Sequence, residues 1–505
     1  MRKTLSFIIA SMCFIWAQTA EAAKTTSISQ RGITWHFDSS YEYGQFANGD
    51  YWVLGPLTLI RIEPDFDGSN NGWEINPLVG NDQGFQANAS NFNRNLVPTL
   101  PLRVEGIKSI VKVAALIPAQ GAYTVKTAAV LTVVDAIPPN EGKNVFRPPY
   151  VGNNKPYYLV ENIRRGALPE YNPVPNTPTL LSVEQNFTNF RLEHTLSTNA
   201  RQLHPKDAMR DYQPENTLAI NDAVLRLMLN DPYNEKLNVL IKILQHGIDK
   251  CYAIIYGWNQ PLGGGHQPGH LSIPSFTAAI LNIAEAKQAI NRASGFHEDQ
   301  YCYISDKTGM ALWGQKASEK SYWDFVMGLG GNRSNADPYS YIDGGTVAAD
   351  YQLMVAQAWK GQILTTLLMP ELKEIWNPSL WSKQISYVQR WVNQGAVAQP
   401  DPCAPFDGII SNYGITYGPD FSNPGMCIKD RNLAYFRSAT DFECKIGQVC
   451  GRFPQRHGLS KDGGLYKSRF VENLWNAYIG LSSLNPGEQP IKERIQAPKN
   501  LKILK

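Results

Sequence analysis

The chain is 505 residues long, with 43% hydrophobic residues, 18% charged residues and a formal net charge of +3. That near-neutral balance removes any global electrostatic argument for nucleic acid, and the length suits one large domain or two or three ordinary ones. Beyond the N-terminal segment no apolar run reaches membrane-spanning length, so a membrane-spanning partner role is not expected.

Residues 1–22 read as a secretory signal peptide. Arg2 and Lys3 form the charged start, Leu5 to Trp16 is mostly apolar but too short to span a bilayer, and Ala20-Glu21-Ala22 is an A-x-A cleavage site. The expected location is therefore secreted or periplasmic. Removing Arg2, Lys3 and Glu21 leaves a net charge of +2. Cys251, Cys302, Cys403, Cys427, Cys444 and Cys450 lie beyond the signal. An even number in an exported chain suggests disulfides, with Cys403–Cys427 and Cys444–Cys450 as the local pairings. None has zinc-ribbon spacing.

Residues 23–150 read as a β-rich region. Ile33-Thr34-Trp35-His36-Phe37 alternates, Val53 to Ile62 and Tyr123 to Val134 are apolar and β-branched, and Gly/Asn/Asp/Pro clusters separate them. Asn48-Gly49 either marks a hairpin turn or belongs to a sugar-facing loop with Gln45 and Trp52. Residues 151–215 are proline-rich and weakly periodic, which reads as a connecting segment. Residues 216–505 turn helical. Apolar positions recur at helical spacing over Leu218–Leu229, Leu237–Ile248, Phe276–Ile283, Tyr351–Leu367, Trp381–Val392 and Phe470–Tyr478. Several of these helices are hydrophobic on more than one side. The expected fold is mainly α: an α/α toroid of stacked helical hairpins behind a β-rich N-terminal region, with an ordinary bundle as the alternative.

The segment Trp258-Asn259-Gln260-Pro261-Leu262-Gly263-Gly264-Gly265-His266-Gln267-Pro268-Gly269-His270 is the most distinctive of the chain. Its glycines let the backbone approach a ligand closely. Two histidines, two amides and an indole beside them suit a polar, saccharide-like ligand. A zinc reading of His266 and His270 is weaker, because Pro268 and the glycines argue against the helix that would align both imidazoles, and only Glu298 or Asp299 offers a third ligand. No metal or other cofactor is expected. A second glycine-bounded loop carries Arg333, Tyr339 and Tyr341. Arginine suits a carboxylate, and a phenol beside a cation can transfer protons. A third, before the last helix, carries Arg452, His457 and Lys467. For each, an ordinary solvated loop is the plainer reading. No GxSxG elbow, P-loop or dinucleotide fingerprint is present.

The segments YGQFANGDYWVLGP, KTAAVLTVV, FRPPY, the GGGH loop, FHEDQYCYIS, AWKGQ, WNPSLWSKQISYVQRWV, GRFPQRHG and DGGLYKS together resemble polysaccharide lyase family 38, whose members cleave alginate or glucuronan. The resemblance covers most of the chain in order. It implies an α/α-barrel fold and β-elimination on a 1,4-linked uronic acid polymer. It makes His266 a proton-transfer residue, Arg333 a carboxylate clamp and Tyr339, taken ahead of Tyr341, the proton shuttle. Trp258, Asn259, Gln260, His270, Tyr303, Tyr341, Arg452, His457 and Lys467 would then bind the anionic polysaccharide substrate. The chain departs from the family pattern at His270, where Arg or Lys is usual, and at Met354, where a cysteine is expected. A glycoside hydrolase of the same toroidal architecture and a non-catalytic glycan-binding protein are the competing readings.

Overall fold

The structure is a computed structural model and describes residues 23–196, 198–260, 265, 268–306, 309–314, 349–393, 436–437, 443–444 and 466–480. The expected signal peptide and the two expected disulfides lie outside these residues, apart from the backbone of Cys444. Cys251 and Cys302 are both buried, their Sγ atoms 3.3 Å from Pro274 O and 3.5 Å from Lys383 O.

The N-terminal part is a curled mixed sheet. Its strands are β1 (Lys24–Gln30), β2 (Ile33–Gln45), β3 (Tyr51–Leu54), β4 (Leu57–Glu63), β5 (Trp73–Ile75), β6 (Leu102–Val104), β7 (Lys108–Gln120) and β8 (Tyr123–Val134). Seven of them run in the order β5-β7-β8-β3-β2-β4-β6, and β1 pairs with β2 beside this path. β3 and β8 are parallel, while the other pairs in the sheet are antiparallel. The run from Val53 to Ile62 is two strands, broken where Gly55-Pro56 removes a ladder donor. Asn48-Gly49 is the turn between β2 and β3, with Gln45 opposite Tyr51. Trp52 is buried there and donates Nε1 to Glu141 O at 3.0 Å, so its indole faces no sugar.

β7 and β8 are covered on both faces. Ile110, Ala129, Leu131 and Val133 join Trp35 in a core inside the curl. Val111, Val113, Val125, Ala128 and Val130 join a second, larger core shared with the helices. Those helices are α1 (Leu180–Gln185), α2 (Gln213–Leu227), α3 (Tyr233–Ile255), α4 (Ser272–Ile280), α5 (Ala284–Arg292), α6 (His297–Gln300), α7 (Ala349–Leu368), α8 (Pro370–Ile375), α9 (Pro378–Tyr387) and α10 (Arg469–Tyr478). Short hairpins follow α6: β11 (Cys302–Ile304) with β12 (Ala311–Trp313).

The architecture corrects the expectation of a mainly α toroid. The described residues form a curled seven-strand half-barrel plus helices, and among them 39% are helical and 23% strand. Apolar residues on more than one side of a helix suggested a ring of helical hairpins. The helices do pack on one another, α3 against α1, α4 and α5, but they do not close a ring: their core is continuous with sheet residues Val111, Val113 and Val130. The segment 151–215 holds the two-residue strand Tyr158–Leu159, 3-10 turns, the short α1 and the first residues of α2.

One polar joint ties the sheet to α3. Arg147, 1% exposed, reaches Asp50 of the β2–β3 turn at 2.8 Å and Asp249 of α3 at 2.5 Å. Among the described residues no helix is long and apolar enough to cross a membrane.

Candidate active site

α3 is an apolar helix that carries His246 and Lys250 four residues apart, hence on one face. Both side chains are buried and converge on Glu193, from the extended segment after α1. Lys250 Nζ lies 3.0 Å from Glu193 Oε1, and His246 Nε2 lies 3.1 Å from Oε2. The same ammonium lies 2.9 Å from His270 Nδ1 and 4.4 Å from the centre of the Trp258 ring. A carboxylate, a neutral nitrogen and a ring face thus surround one buried cation. All three favour the charged lysine.

An ammonium has only protons to give, so His270 Nδ1 accepts and its Nε2 carries the hydrogen. Burial and the neighbouring Lys250 charge both hold the His270 pKa well below the ordinary histidine value. Burial alone would raise the Glu193 carboxyl. Lys250 and His246 overcome it and keep the group ionised, well below the usual range. Burial depresses His246 to about 4, against the pull of Glu193. His204, which lies 3.2 Å from Arg210 O through Nδ1, is also depressed by burial to about 4.

The glycine-rich segment is anchored over this cluster at both ends. Trp258 Nε1 and Gln260 Nε2 donate to Thr195 O at 3.3 Å and 2.9 Å, two residues from Glu193. At the other end Gly269 has φ +83, and a Cβ there would fall 2.0 Å from Thr217 Cγ2, so only glycine fits. The Gly269 amide donates to Glu298 of α6. Glu298 is fully buried, and that burial raises its carboxyl to about 7. Two buried carboxyl groups, Glu193 held ionised and Glu298 raised to about 7, thus have their pKa values pushed apart around Gly269 and His270. Such pairs mark sites of acid–base chemistry.

Of the residues singled out from sequence, Trp258, Gln260 and His270 are brought together here, all buried. Asn259 is half-buried beside them. Tyr303 stands in β11, opposite Leu312, and Lys467 precedes α10; both are half-buried. His266, Arg333, Tyr339, Tyr341, Arg452 and His457 lie outside the described residues. Sequence reasoning missed Glu193, His204, His246 and Lys250. The only trace was the charged pair His246-x3-Lys250 inside an apolar helical run. Among the described residues no group of three or more His, Cys, Asp and Glu is arranged to hold a metal ion.

Comparison with protein-family models, with curated proteins and with solved structures finds no match to this chain.

Proposed function

We propose that the chain is an exported polysaccharide lyase that cleaves a 1,4-linked uronic acid polymer, alginate or glucuronan, by β-elimination. The observation that carries the reading is the Lys250–His270 contact at the end of the glycine-rich segment. It sets a neutral imidazole 2.9 Å from the Lys250 ammonium, whose charge Glu193 supports against the burial that lowers its pKa. β-Elimination needs both kinds of group. A cation near the uronate carboxylate makes the C5 proton acidic, a base removes that proton, the C4–O bond breaks, and an acid protonates the leaving oxygen. His266, Arg333 and Tyr339 are assigned the base, clamp and acid roles by resemblance. The buried set of Glu193, His246 and Lys250 would be the scaffold that positions His270.

A second reading has one observation in its favour. Glu298, protonated near neutrality, and ionised Glu193 have the opposed states of a glycosidase acid and base. One experiment separates the readings. The purified protein is incubated with alginate, glucuronan and a neutral glycan, and products are read for ultraviolet absorbance and for reducing ends. A lyase yields both signals together, because only elimination makes a C4–C5 double bond. His266→Ala and Tyr339→Phe should each lower the rate by on the order of 10²-fold or more while binding persists. Reducing ends without absorbance would establish the hydrolase, and binding without either would make the chain a glycan-binding protein.

A further inference from the structure

A second polar site lies where the β2–β3 turn, the segment after α1 and α3 meet. It is a cleft lined by Arg31, Asp50, Arg147, Arg191, Gln245 and Asp249, with Phe187 and His246 alongside. Its deepest part has about 30 Å³ of open space, room for about two waters. Nearly every cation around it has a carboxylate at contact distance. Arg31 pairs with Asp50 and Arg147 with Asp50 and Asp249. Lys242 pairs with Glu184.

Arg191 is the exception. It is 5% exposed and makes one hydrogen bond, from Nη2 to Asn186 O at 2.8 Å. Its Nε and Nη1 are buried and have no partner. Among the described residues no carboxylate comes within salt-bridge distance of it. The guanidinium rests on Phe187, its carbon 4.4 Å from the ring centre, which holds it in place. Burial lowers its pKa, and Glu193 opposes this only from beyond contact distance, so a negative charge brought to Nε and Nη1 would stabilise it. Gln245 is the matching acceptor. It is 4% exposed, its Nε2 donates to Arg147 O at 3.0 Å, and its Oε1 is buried without a donor.

We propose that this cleft binds a hydroxycarboxylate, whose carboxylate faces Arg191 and whose hydroxyl donates to Gln245 Oε1. Two waters' worth of space matches one carboxylate and one hydroxyl. A phosphate would be too large and too charged beside Asp50 and Asp249. The polar rim of Arg31, Asn48, Thr188 and Asn189 leaves room for further hydroxyls of a larger ligand. A free sugar acid and an acid unit of a sugar chain share this chemistry. The inference stands apart from the lyase reading, since it concerns binding and shares only His246 with the candidate active site.

Calorimetry on the full chain tests it, with D-glucuronate and an oligomer of glucuronate as probes. Glucose lacks the carboxylate and propionate lacks the hydroxyl. Saturable binding of glucuronate or its oligomer is expected, with glucose and propionate at least about tenfold weaker, and the tighter of the two probes identifies the source. Arg191→Gln should weaken binding by about 10- to 100-fold, the worth of a hydrogen bond to a charged group. Should that variant not fold, Gln245→Met is the arbiter. It should cost glucuronate about 2- to 10-fold and leave propionate unchanged. The proposal fails if neither acid binds, if glucose or propionate binds as well as glucuronate, or if binding is unaltered in the folded variants. None of these results depends on whether the chain cleaves a polymer.

Discussion

Lys250 is the residue on which the candidate site turns. It satisfies the Glu193 carboxylate, donates to His270 and covers the Trp258 ring. Its removal leaves a buried carboxylate with only a neutral imidazole beside it. Lys250→Met should therefore destabilise the protein by about 3–5 kcal/mol, the cost of breaking a buried ion pair. The double variant Lys250→Met with Glu193→Gln removes both charges and should regain most of that loss. Urea denaturation of the two variants checks the pairing: a single variant as stable as the parent, or a double variant no better than the single, would show that the two charges are not coupled. The sequence gives little access to this cluster. Glu193 is 53 residues from His246 and 57 from Lys250, and nothing local marks Glu193-His194 as more than a polar break. The glycine-rich segment was conspicuous because glycine, histidine and tryptophan are locally unusual together. The charges beneath it become neighbours only through packing.

At the level of elements, local pattern was informative and closure was not. The predicted helical windows over Leu218–Leu229, Leu237–Ile248 and Tyr351–Leu367 fall on α2, α3 and α7, and the strand run Tyr123–Val134 is β8. Hydrophobic periodicity reports which sides of an element are covered, but not by what. The apolar sides of α3 do meet other helices, but the core those helices share runs on into the curled sheet, and nothing in the spacing of α3 shows that the ring stays open. Close helix packing was equally hidden. Gly247 sits in the middle of α3, where alanine would ordinarily favour the helix by about 1 kcal/mol. A Cβ there would lie 1.8 Å from Thr277 Oγ1 and 2.5 Å from Thr277 Cβ on α4. Thr277 is fully buried and cannot swing aside. The clash outweighs the propensity, so Gly247→Ala should lower stability by about 1–3 kcal/mol. An unchanged or raised denaturation midpoint would mean that α3 and α4 do not cross this closely.

Among the described residues most histidines are buried, and at the scale of the whole molecule this shapes its response to acid. Burial depresses His194 to about 3 and His204 and His246 to about 4, and with Lys250 it holds His270 well below its ordinary value. In the unfolded chain all four protonate near 6.5. Between 6.5 and about 4 these imidazoles therefore bind more protons in the unfolded state than in the native state, and their contribution to stability falls as pH falls. Each imidazole contributes a slope of about 1.4 kcal/mol per pH unit within that window. Glu74 and Glu298 act in the opposite sense. Burial raises both to about 7 in the native state, so they gain native stability as pH drops from 7 toward 4.5. Asp222, which burial raises to about 6, acts in the same sense down to 3.8, and burial raises Asp207 and Asp249 as well, so the carboxyl groups offset much of the imidazole loss above 4.5. Below 4.5 Glu74 and Glu298 no longer compensate, and Glu193, held well below the usual range, adds its own loss. Asp50 follows later, since Arg31 and Arg147 outweigh its burial and hold it at about 2, so its contribution disappears between 3.8 and 2. Thermal unfolding measured from pH 7.5 to 3.5 should show a midpoint that changes little above about 4.5 and drops steeply below it. His204→Gln and His246→Gln, each removing one buried imidazole, should make the variant relatively more stable than the parent as pH falls from 6.5 to 4. A pH dependence unaltered in both variants would contradict the burial of these histidines, and with it the core on which the candidate site is built.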